Sequence, residues 1–95
     1  MAAEGERTFF VESYVPSLDK ATAAALSSRL RAAVAGLRRE GNSLQWRGSF
    51  ALVGEETYVW MLGAPDVERV LQVSDRAGVR YYNVTEAAVD PPRVS

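Results

Sequence analysis

The sequence contains neither cysteine nor histidine. Without cysteine there is no disulfide, no thiolate nucleophile and no soft metal ligand. Without histidine the usual general base near neutral pH is gone. The Ser-His and Cys-His nucleophile systems and the commonest transition-metal ligand go with it. Catalysis would have to use carboxylates, Tyr, Arg, Lys20, backbone groups or a bound cofactor. An excess of charge of either sign is also missing. The 11 basic and 12 acidic residues leave a net charge of −1, which gives no support to non-specific attraction to nucleic acid or anionic membranes. Lys20 is the only lysine and all other basic residues are Arg, a bias we read as the codon composition of a GC-rich genome. No apolar run approaches the roughly 20 residues of a membrane-spanning helix. The start, MAAEGER, lacks the basic residues and apolar stretch of an export signal, so the expectation is a cytoplasmic protein.

What is present is ordinary globular composition. The 95 residues, 47% hydrophobic and 24% charged, suit one small domain with a two-layer core. Residues 1–7 read as a flexible lead-in, 8–89 as the domain, and DPPRVS (90–95) as a tail whose paired prolines cannot continue a sheet. TFFVESYV (8–15) is β-branched and aromatic and reads as a strand ended by Pro16. An Ala-rich stretch follows, with Leu26, Leu30, Val34 and Leu37 on one helical face. Ser17 or Asp19 suits its start and Gly41 its end, and Gly36 inside it would permit close packing on the sheet. LQWRGSFALV (44–53) and ETYVWMLGA (56–64) flank Gly54-Glu55 as a hairpin. A two-residue loop would set Phe50 beside Val59, and a three-residue loop would set it beside Trp60. Asp66 caps a second helix that Gly78 ends, and YYNVTEAAV (81–89) is the last strand.

The order β-α-β-β-α-β predicts an α+β, ferredoxin-like fold, a four-stranded antiparallel sheet with both helices on one face. Its first and third strands are central, and these carry large apolar residues at both parities. The face without helices would then leave aromatic residues in water. Such a patch marks an interface or a ligand site, and a second copy related by a twofold axis is the simplest cover. The expected partner is therefore a homodimer twin, met through the open sheet face or the strand edges.

The aromatic set is Tyr14, Trp46, Tyr58, Trp60, Tyr81 and Tyr82. Its ordinary role is core and interface. Its sharper role is to line a pocket for an apolar small molecule between the open face and the twin, with Glu12, Ser13, Arg47, Asn83 and Glu86 as placed polar groups. The candidate ligand-binding residues are thus Glu12, Tyr14, Trp46, Arg47, Tyr58, Trp60, Asn83 and Glu86. Glu12 and Glu86 lie on neighbouring strands in this topology and can share a face, as acid–base groups or as ligands of a hard cation. Two carboxylates supply few of the six or more oxygens such an ion takes, so no metal ligand and no cofactor is assigned. The aromatic sheet lacks the basic-aromatic signature of the RNA-binding module of like topology.

FFVESYVPSL, the Ala/Arg stretch ending RREG, LQWRGSF, the strand running from ET to APD and the helix ending DRAG together resemble a small bacterial family. Its members are ferredoxin-like domains of unknown function and include an actinobacterial nickel-binding homodimer. The resemblance spans about residues 8–89 and implies a dimeric ferredoxin-like fold. Family members commonly carry His or Cys on the sheet and a Glu just before the Ala-Pro. Here that position is Gly63 and the chain has no His or Cys, so the nickel ligands are not carried over. Three function classes follow. The leading one is a non-catalytic small-molecule-binding or accessory protein. The others are a cofactor-independent oxygenase, isomerase or cyclase of the dimeric ferredoxin-like kind, and a metal binder with oxygen ligands.

Overall fold

A computed structural model describes residues 6–88. The expected tail, 90–95, lies outside the described residues. The elements are β1 (Arg7–Tyr14), α1 (Lys20–Arg39), β2 (Gln45–Leu52), a short 3-10 turn (Val53–Glu55), β3 (Thr57–Ala64), α2 (Val67–Ala77) and β4 (Asn83–Ala87). The strands form one antiparallel sheet in the order β2-β3-β1-β4, consistent with the ferredoxin-like arrangement. Strand β1 begins at Arg7 and Glu6 pairs with Arg47, so the last two residues of the expected lead-in belong to the fold. Among the described residues no helix is long and apolar enough to cross a membrane.

Both helices start on a side-chain cap. The Asp19 carboxylate accepts from the Thr22 amide at 2.8 Å, and Asp66 accepts from the Arg69 amide at 3.0 Å. Each cap satisfies a donor that the first turn cannot. Gly78 ends α2 at φ 67°, the left-handed position where a Cβ is costly. Helix α1 buries Leu30, Ala33, Val34 and Leu37, while Leu26 packs partly against the core. Gly36 serves the second helix rather than the sheet. A Cβ there would come within 3.2 Å of an Arg76 guanidinium nitrogen, and that guanidinium crosses to Glu40 in two hydrogen bonds of 2.9 Å.

The core lies between the helices and one face of the sheet. Phe9, Val11 and Ser13 of β1 stand in register with Leu62, Trp60 and Tyr58 of β3, and all are buried. Residues directly opposite in an antiparallel pair share a face, so these six point toward the helices. The hairpin register sets Phe50 against Val59. A two-residue loop would give that pairing, but the connection takes four residues, with Leu52 paired to Thr57 and Glu56 in the left-handed region at φ 50°. Strand β2 carries a bulge at Arg47, between the Trp46–Leu62 and Gly48–Met61 pairs. Gly48 takes φ 134°, which side chains rarely adopt, and so lets the strand absorb the extra residue.

Candidate functional site

The open face is built from the alternate residues of each strand. Across its middle, Phe50, Val59, Glu12 and Asn83 stand side by side in register, and the next row holds Gly48, Met61, Phe10 and Thr85. Toward the hairpin end, Leu52, Thr57 and Tyr14 form the last row. The β2–β3 side of this face, continued by Phe10 of β1, is therefore apolar, and the rest of the β1–β4 side is polar. Phe50 and Leu52 are 43% and 44% exposed, whereas Val59 beside them is buried under its neighbours alone.

Glu12 is the centre of the polar side. Its carboxylate accepts from Asn83 Nδ2 at 2.7 Å and from the Tyr82 hydroxyl at 3.3 Å, and its backbone carbonyl accepts from the Tyr82 amide at 2.9 Å. Tyr14 lies two residues further along the same face, and its hydroxyl donates to Glu56 at 3.2 Å. The negative charge of Glu56, and then that hydrogen bond, raise the Tyr14 pKa above the ordinary phenol value. Glu56 also accepts from the Ser17 amide and gives its own carbonyl to the Val15 amide. Ser17 and Glu56 both have positive φ, 58° and 50°, a conformation that costs a non-glycine residue about 1–2 kcal/mol. The clamp between the two loops thus holds two strained residues and aims the Glu56 carboxylate at Tyr14.

The other end of the open face is electrically closed. The Arg47 guanidinium donates to the Glu6 carboxylate, and the pair lies over Gly63. A Cβ on Gly63 would meet Arg47 Nε at 3.0 Å and Glu6 Oε1 at 3.1 Å. The missing side chain leaves the room that this ion pair occupies.

The structure brings together only part of the expected set. Glu12, Tyr14 and Asn83 share the open face, and Arg47 sits at its far end. Tyr58 and Trp60, expected at the open face, point to the helices instead and are 1% and 0% exposed. The Trp60 indole N–H donates to Ser13 Oγ at 3.1 Å inside the core, while the Tyr58 hydroxyl is buried without a partner among the described residues. Trp46 also lies on the helix side, half-buried against the core and beside Val34 of α1. Glu86 pairs in register with Phe9, so it stands on the helix side, opposite to Glu12, and near the Arg7 side chain at 3.6 Å. The two carboxylates expected to share a face do not. The reason is parity, because Glu12 is opposite Asn83 and Glu86 lies three residues further on. Sequence reasoning missed Glu56 and undervalued Tyr82. Glu56 is 42 residues from Tyr14, and nothing local announces its left-handed backbone.

Shallow clefts border the helices. One of about 570 Å³ lies beside the C-terminal end of α2, against Gly78, Arg80 and Tyr81. Among the described residues no group of three or more acidic side chains is placed to hold a metal ion. The arrangement as a whole offers an apolar surface beside a carboxylate–tyrosine corner. No protein-family model, curated protein or solved structure matches this chain.

Proposed function

We propose that this protein is a small non-catalytic binding module that works as a homodimer, with the open sheet face as its contact surface. The observation that carries the reading is the unlayered apolar half of that face, where Phe10, Phe50, Leu52, Val59 and Met61 adjoin one another in register. Withdrawing half-exposed Phe50 and Leu52 from water is worth about 3 kcal/mol per copy. Two strands at about 4.8 Å spacing and eight residues at about 3.3 Å give the apolar half a footprint of roughly 250 Å². Two copies then bury about 500 Å², below the size of a standard specific interface and on the scale of a transient contact. A second copy fits better than an unrelated partner because a twofold axis presents the same apolar patch from both sides. The expected dimer is therefore a weak one. A small molecule would occupy the polar β1–β4 side, where Glu12, Tyr14 and Asn83 remain outside the apolar contact.

Sedimentation velocity over micromolar to hundred-micromolar concentration tests the reading. The wild-type chain should shift from monomer to dimer across that range, and Phe50→Glu should stay monomeric while keeping its fold by circular dichroism. A wild-type chain that remains monomeric throughout overturns it.

A further inference from the structure

We infer that the corner formed by Glu12, Tyr14 and Tyr82 binds an organic cation, an alkylammonium or guanidinium group. The inference rests on the reading of the open face as a binding surface and names the ligand chemistry of its polar side.

Three observations converge. Glu12 lies on the open face and Glu56 reaches the Tyr14 hydroxyl two residues along it, and among the described residues every donor to their carboxylates is neutral: a tyrosine hydroxyl each, the Asn83 amide on Glu12 and the Ser17 backbone N–H on Glu56. Four other carboxylates, those of Glu6, Glu40, Asp66 and Glu86, each lie beside an arginine. Among the described residues no arginine or lysine pairs with Glu12 or Glu56, so the corner holds uncompensated negative charge. Secondly, Tyr14 and Tyr82 remain 61% and 58% exposed. Their hydroxyls are used on the carboxylates, which leaves their rings as the exposed chemistry. An aromatic face attracts a cation by its quadrupole, most strongly where water is partly excluded. Thirdly, Glu12 is half-buried between Val59 and Asn83, so its charge is less screened than that of a surface carboxylate.

The same features select among cations. A hard metal ion takes six or more oxygens and gains little from aromatic rings. The corner offers few free oxygens, and Tyr14 stands about 7 Å from Glu12 along the strand. A weakly hydrated organic cation uses both kinds of surface, carboxylate on one side and ring on the other. Tyr14 and Glu12, two residues apart on one strand face, fix that spacing through the sheet itself.

Titration followed by heteronuclear NMR tests the site. Tetramethylammonium chloride and methylguanidinium chloride are the two probes, with sodium chloride at equal ionic strength as the control. At least one organic probe should give saturable shifts of the Asn83 side-chain amide and of the Tyr14 and Tyr82 ring signals, and sodium should not. The probe that saturates first identifies which cation class the corner prefers. Glu12→Gln keeps the side-chain shape and should weaken binding about tenfold, equivalent to about 1.4 kcal/mol. Tyr82→Leu, a variant that leaves the carboxylate in place, should weaken it severalfold. Shifts that match the sodium control, or binding unchanged in both variants, overturn the inference. A dimer that binds neither probe overturns this inference alone. A monomer that binds one keeps the cation site and overturns the dimer.

Discussion

The two faces of the sheet bury strand β3 to nearly the same degree by different means. On the helix side Tyr58, Trp60 and Leu62 lie under α1 and α2, and none is more than 1% exposed. On the open side Val59 is 4% and Thr57 8% exposed, with no helix over them among the described residues. A twisted four-stranded sheet can hide its central strand by lateral contact alone. The apolar run of TYVWML therefore says nothing by itself about a partner. The side chains around it do, because Phe50, Leu52 and Tyr14 remain exposed where lateral neighbours run out.

If this contrast is right, equivalent truncations on the two faces should differ. The largest effect is expected at Trp60. Trp60→Ala opens a cavity inside the core and strands Ser13, which should cost about 3–5 kcal/mol in urea-induced unfolding. Val59→Ala removes fewer atoms from a site that can relax toward solvent, and about 1 kcal/mol is expected in the same measurement. A loss as large as that of Trp60→Ala would mean that the open face is as tightly packed as the core. Tyr58→Phe sharpens the comparison from the core side. It deletes a buried hydroxyl that has no partner among the described residues, so the variant should be equal to wild type or more stable by about 1 kcal/mol.

The smallest effect concerns the hairpin end of the open face and appears only with pH. The Tyr14 pKa is raised by Glu56, so the folded state holds the phenolic proton more tightly than the unfolded chain. That contribution is complete below the unfolded tyrosine pKa of about 10 and is lost as pH rises through the folded value. The urea midpoint of wild type should thus fall toward that of Tyr14→Phe above about pH 10, and the gap between them should be constant near neutrality. A gap independent of pH throughout would break the Tyr14–Glu56 link.

The sequence made the elements legible because their signals are local. Asp19 and Asp66 cap the helices, Gly78 ends the second, and the apolar spacing of Leu30, Val34 and Leu37 marks the buried stripe. The order of elements was enough for the sheet order. What was not legible is which face each side chain takes. Strands β1 and β3 carry large apolar residues at both parities, so periodicity could not choose between Trp60 and Val59 for the core. The bulge at Arg47 alters parity through backbone geometry and leaves no clear mark in residue type, whereas the four-residue hairpin loop keeps the register of a two-residue one. Of the candidate site, Glu12, Tyr14 and Asn83 were found because adjacent strands bring them together. Glu86 failed by one parity step. The space over Gly63, which looked like a lost side chain, is filled by Glu6 and Arg47 from two other segments.

The central claim is that the open face, with Phe50 near its apolar centre, meets a second copy of the chain. Isotope-filtered NOE spectroscopy on a sample mixed from labelled and unlabelled protein tests it most directly, since only contacts between copies give signals. The account predicts cross-copy signals among Phe10, Phe50, Leu52 and Met61, and their loss in Phe50→Glu. Cross-copy signals from the outer sides of α1 and α2, or none at concentrations where wild type is dimeric by sedimentation, would contradict it.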